Sequence, residues 1–255
     1  MLTTINEPLL KHTIAHHLGR AKIEFKEGKL SYALEKFSSL ERLFEQSFSQ
    51  RNGSSLFQTF NNEIEFIAAG RFLETFPETS LFPERFEQIV WLDIPIAYIY
   101  LEMGSSLIEM DKFDDAALAL KKAISWNLLS SSSYYEMSYL HQAAYRDYEQ
   151  SLAYSIKGLT TSYDSEERAR GYRHTGSALI DLGKFLHAKA SYLKSLILDP
   201  SNDLAKSQLQ YIEHVAGDLP LEASEEVYDR LLGKVGIPPS VHEAFLHHPS
   251  LVQKF

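Results

Sequence analysis

Residues 169–202, ARGYRHTGSALIDLGKFLHAKASYLKSLILDPSN, constrain the chain more than any other stretch, because they spell two short helices joined by a tight turn. Asp164, with Glu167 three residues on, is a pair that satisfies free N–H groups at a helix start. Tyr172, Thr175, Ala178, Leu179 and Leu182 then fall at three- and four-residue spacing, on one helical face. Gly183 follows as a terminator. Phe185, Ala188, Leu193, Leu196 and Leu198 predict a second helix, which Pro200 ends. Gly176, Ala178 and Ala188 are small where the two helices must approach closely, and Tyr172 and Tyr192 fill the space around them. A pair this short cannot hide its apolar side alone, so it predicts similar pairs stacked in series.

Other stretches repeat the plan. In residues 14–47, aligning Gly28 with Gly183 puts Ala21 and Ala33 at the small sites, Leu30 at the turn and Phe37 at a large site, with Glu24 where an apolar residue is expected. Residues 97–130 carry Tyr100, Gly104, Leu107, Phe113, Ala116, Leu120 and Ala123 in the same order, with Leu128 at the place of Pro200. Residues 132–168 fit less well: Tyr148, Ser151, Gly158 and Leu159 match, but Tyr139 falls where a small residue belongs. Either that helix pair splays or the phase is displaced. Residues 48–96 read as a longer, irregular helical unit. Phe57, Phe60, Ile64 and Ile67 recur at helical spacing, flanked by Leu56, Phe66, Phe72 and Leu73. A proline-bounded loop follows at 77–83, then a short helix over 84–92 bearing Phe86, Ile89, Val90 and Trp91. Residues 1–12 read as a loose lead-in. Beyond Pro200, residues 203–255 predict C-terminal capping helices: one over 203–215 with Leu204, Leu209, Ile212 and Val215, one over 225–232, and one carrying Val241, Phe245 and Leu246.

The spaced set Tyr172, Gly176, Leu179, Phe185, Ala188, Tyr192 and Pro200 resembles the tetratricopeptide repeat, a 34-residue helix–turn–helix unit. Ser195 and Thr175 are mild departures from it. The resemblance implies an all-α fold over residues 1–255, a right-handed α–α superhelix of about four to five helix pairs. It also implies a concave groove lined by the first helix of each pair. By position these residues are Lys22, Phe25 and Lys26 in the first copy and Tyr98, Leu101, Ser105, Ile108 and Glu109 in the second good copy. In the last copy they are Arg170, Arg173, Ser177, Ile180 and Asp181. The expected function is a non-enzymatic scaffold whose partner is a protein or an extended or helical peptide. A regulatory or secretion-type chaperone holding a partner segment is the alternative. The family subset that grips chaperone C-terminal carboxylates uses lysine and asparagine; here the matching sites carry Arg173 and Ser177, so that role is not expected.

Chemistry-bearing motifs are sparse. The chain has no cysteine, which excludes disulfides, thiolate metal sites and a cysteine nucleophile, and suits a cytoplasmic setting. It lacks a Gly-x-Ser-x-Gly, a phosphate-cradling glycine loop and a dinucleotide fingerprint. His12, His16 and His17 could hold a metal in a less favoured enzymatic reading. No glutamate stands in metalloprotease order, and His242, His247 and His248 converge poorly, so no metal, cofactor or catalytic residue is expected. Asp114, Asp115, Glu225 and Glu226 read as helix-start charges. A net charge of −9 argues against nucleic acid as a partner. No apolar run approaches the roughly 20 residues of a membrane helix, and the N-terminus does not read as a secretory signal, so no membrane is expected.

Overall fold

The computed structural model describes residues 2–5, 8–47, 51–52, 55–60, 65–66, 88–221 and 224–237. The chain divides into two compact units, Met1–Glu136 and Met137–Phe255.

In the first unit, β1 (Leu2–Ile5) precedes the helix pair α1 (Pro8–Lys26) and α2 (Leu30–Ser47). Strands β2 (Arg51–Asn52), β3 (Ser55–Gln58) and β4 (Gln88–Leu92) follow, then a second pair, α3 (Ile96–Glu109) and α4 (Phe113–Trp126). The strands form one sheet in the order β1-β4-β3-β2, parallel except for β2 with β3. Helix α1 packs on α2, α2 on α3 and α3 on α4. Helix α5 (Ser131–Leu140) runs across the division between the units and continues as a π-helical turn (His141–Tyr145). In the second unit follow α6 (Tyr148–Thr161), α7 (Ser165–Asp181), α8 (Phe185–Leu198), α9 (Asp203–Ala216) and α10 (Glu225–Gly233). There α6 packs on α7 and α7 on α8, while α9 and α10 both pack on α8.

The close approaches predicted from the small residues are present. A Cβ on Gly176 would lie 2.7 Å from the Tyr192 ring, and one on Gly104 would lie 2.6 Å from Leu120. Both glycines are buried, and each partner stands at the same place on its second helix. The turns agree as well. Gly28, Asp111, Arg146 and Gly183, one in each pair, all take left-handed backbone with φ between 52 and 74°. Glycine does this without strain, whereas Asp111 and Arg146 adopt it at a small cost. The expected cap also forms: the Asp164 carboxylate accepts from the Glu167 N–H at 2.8 Å.

The described parts of residues 48–96 depart from the helical unit read there. Leu56 and Phe57 lie in β3, and Ile89, Val90 and Trp91 lie in β4 instead of a helix over 84–92. Short apolar runs rich in β-branched and aromatic residues have no period that separates a buried strand from a helix. Leu56, Ile89, Val90 and Leu92 are core here. Ile64, Ile67, Phe72, Leu73, the loop at 77–83 and Phe86 lie outside the described residues. Residues 2–5, read as lead-in, form the edge strand on β4, and α1 starts at Pro8. Buried side chains at the end of β3 and just after it fasten the sheet to the second helix pair. Gln58 donates to the Ser125 carbonyl at 2.8 Å and accepts from the Leu128 N–H at 3.1 Å. The Thr59 hydroxyl accepts from the Ala97 N–H at 3.1 Å, satisfying one donor in the first turn of α3.

The weak copy is explained by the π turn. It holds one more residue than an α-helical turn, so every position before it is displaced by one. Ser138, not Tyr139, takes the small site. Ser138 lies 34 residues after Gly104, is fully buried, and donates to the Ser151 carbonyl at 2.9 Å. Tyr139 points outward, 46% exposed.

Candidate ligand-binding groove

The helix faces that pack and the faces that do not are cleanly separated on α3 and α7. Tyr100, Gly104 and Leu107, like Tyr172, Gly176 and Leu179, are buried, whereas all thirteen groove residues named above are half-buried or exposed.

In the first unit, the Lys22 ammonium lies over the Tyr98 ring, 4.3 Å from its centroid. Such a contact is worth roughly 0.5–1 kcal/mol at an exposed site. Burial, together with a hydrogen bond to Glu102, holds the Tyr98 phenol above its ordinary pKa, so it stays a neutral donor. Lysine, tyrosine and glutamate therefore form one polar strip across α1 and α3. Phe25 and Lys26 continue the α1 side, and Leu101, Ser105, Ile108 and Glu109 the α3 side.

In the second unit, Gln142, which the π turn presents, donates through its amide to the Ser177 hydroxyl at 2.7 Å and to Asp181. Arg170 sits 3.9 Å from Glu167 on its own helix. Arg173 is committed to its own helix pair: its guanidinium donates to the Ser195 hydroxyl at 3.2 Å and to Asp199 at 3.5 Å. Asp199 is held below the usual carboxylate range by its bond from Asn202, and also by Ser201 and Arg173. Reversing the charge with Arg173→Glu thus does more than change a groove: it removes this tie and sets two carboxylates together. The expected result is a lower unfolding temperature in a thermal melt monitored by circular dichroism, alongside any loss of binding. His174 directly follows Arg173 in sequence. Its burial, then Arg170 and Arg173, push its imidazole down to about 3, so it is neutral at neutral pH.

Three residues with exposed apolar side chains had not been assigned to the groove. Leu204, Tyr211 and Val215 on α9 are 57%, 47% and 48% exposed. They stand 34 residues after Arg170, Ser177 and Asp181, at the same repeat positions. Ala205 and Ile212, on another face of α9, are the residues it buries. The repeat offset alone could have found this stripe.

His16 and His17 meet edge to face at 5.6 Å. The His12 side chain, and His242, His247 and His248 entirely, lie outside the described residues. Among the described residues no three histidine, aspartate or glutamate side chains gather as a metal site, and no helix is long and apolar enough to cross a membrane.

No family model and no curated protein matches the chain. Among solved structures, the RS-1 ArsTM double mutant of MamA superposes with a TM-score of 0.53 at 11% identity, covering 87% of this chain and 92% of that one. The fold is tetratricopeptide-repeat-like. Two shorter tetratricopeptide-repeat structures are also similar, each at 19% identity. The first such domain of human RPAP3 matches with a TM-score of 0.44, over 47% of this chain and 91% of its own. The first such domain of RPAP3 bound to the HSP90 peptide SRMEEVD matches at 0.45, over 48% and 94%.

Proposed function

We propose that the protein is a non-enzymatic scaffold that holds a protein or peptide segment against the first helices of its tetratricopeptide-like pairs. The observation that carries this reading is the α9 stripe. Helix α9 exposes Leu204, Tyr211 and Val215 at the positions that on α7 hold Arg170, Ser177 and Asp181. Large apolar side chains aligned on one face suit a partner surface better than solvent. In the second unit the Gln142–Ser177–Asp181 set supplies direction and charge selectivity, and the first unit carries a polar contact of its own, Lys22 over Tyr98. A peptide with apolar side chains and some acidic groups fits this combination. The structured helices are ordered before binding, so the cost of ordering falls on the peptide. The reading includes a cytoplasmic setting, which the absence of cysteine suits.

The test is affinity capture followed by mass spectrometry, using the wild type and the variants Tyr211→Glu and Lys22→Glu. Tyr211 is exposed and Lys22 half-buried on a helix surface, so both variants are expected to keep the wild-type circular dichroism. Capture of partners held on the α9 stripe is expected to be lost or reduced about tenfold with Tyr211→Glu, and capture of partners held on the first unit's strip with Lys22→Glu. Equal capture by all three proteins would reject the groove.

A further inference from the structure

A second surface lies on the other side of α3. A cleft of about 350 Å3 opens between α2, α3 and α4. Met103 and Leu107 line it from α3, a half-turn or so away from the groove residues Leu101, Ser105 and Ile108. Its α4 wall carries Leu118 and Lys122. Leu118 is 59% exposed. Lys122 donates to Glu41 of α2 at 2.6 Å and lies over the Tyr100 ring, 5.3 Å from its centroid.

The same arrangement recurs in the second unit, and there it is covered. Lys194 and Tyr172 stand 72 residues after Lys122 and Tyr100, and Lys194 lies over Tyr172 at 5.7 Å. In that copy the lysine is 7% exposed and donates to Asp229 of α10 at 2.6 Å. Ala190, the counterpart of Leu118, is fully buried in the core cluster that also contains Tyr228 and Leu232 of α10. Helix α10 thus shows what this surface accepts: an amphipathic helix with an apolar residue at each of two positions four apart and a carboxylate beside the first, aimed at the lysine.

We infer that the α2–α3–α4 cleft is a docking site for an amphipathic helix of a partner protein, which sets an acidic side chain on Lys122 and apolar side chains on Leu118. The partner's carboxylate competes with Glu41 for Lys122. Asp115, two turns before Lys122 on the α4 wall, gives the cleft opposite charges at its ends, so the bound helix carries a basic residue toward Asp115. The site is separate from the groove and does not depend on it.

Helix α10 itself serves as the probe. A fluorescein-labelled peptide of residues 224–237, stapled between the exposed positions of Glu226 and Arg230, is titrated against the full chain by anisotropy. Saturable binding is expected, weakened at least about tenfold by Leu118→Glu and by Lys122→Glu, and unchanged by the groove variant Tyr211→Glu. Changing Asp229→Lys in the peptide is expected to weaken binding to the wild type and to restore it to the Lys122→Glu protein. Leu118 is exposed, so its variant retains the wild-type melt. Absence of binding to the wild type, or binding indifferent to both cleft variants, would overturn the proposal; the second result would mean that the peptide had only replaced α10 on its own helix.

Discussion

Gly176→Leu is expected to lower the unfolding temperature by roughly 2–12 °C, corresponding to about 1–3 kcal/mol of overpacking in a chain of this size. The reason is local and quantitative. Even a single Cβ at Gly176 would stand 2.7 Å from the Tyr192 ring, closer than side-chain carbons tolerate. Tyr192 cannot simply swing aside, because it is 2% exposed and packed in the core of the second unit. A leucine therefore forces α7 and α8 apart. Differential scanning calorimetry measures the effect, and a second substitution identifies its origin. Tyr192→Ala removes the ring that the leucine strikes, so the double variant should be more stable than the sum of the two single losses. Strict additivity would mean that the two residues do not meet.

The other large effect is a pH dependence centred on His174. Its folded pKa, about 3, lies below the ordinary 6.5. Between those values the unfolded chain binds a proton that the folded chain refuses. Stability from this residue is therefore complete above pH 6.5 and falls as the solution is acidified toward pH 3. Allowing for an imidazole that is only half-buried, the loss by pH 4 is about 1–3 kcal/mol. Chemical denaturation of the wild type and of His174→Gln at pH 7 and pH 4 gives the comparison. The wild type is expected to lose more stability on acidification than the variant, whose amide does not titrate. Parallel losses in the two proteins would remove His174 from the account.

Much of the helical plan was legible because its signals are stereochemical. A left-handed turn residue, a glycine facing a large ring and a carboxylate three residues before its N–H are each set by local geometry, and each appears where the residue types predicted it. The strands were not legible. SLFQ and QIVWL are too short to show a period, and their burial depends on partners far away in the chain. The π turn was hidden because an extra residue inside a helix leaves no compositional mark; only the misfit of Tyr139 betrayed it. Among the groove residues, position on a helix gave exposure but not side-chain destination. Arg173 turns toward Ser195 and Asp199, a choice made by neighbours on the second helix. Leu204 and Val215 were passed over for the opposite reason: apolar residues on a capping helix read as core until the repeat offset is applied to them.

The wide turn at His141–Tyr145 has one more consequence. It is a wider turn at the end of an otherwise regular α-helix. Excising one residue there, such as the exposed Ala143, would let the backbone close into ordinary α-helix while Ser138 and Tyr148 kept their seats. A helix with such a splice can lose or regain a residue without misaligning the contacts on either side, so length variation is tolerated at this point and punished a few residues away.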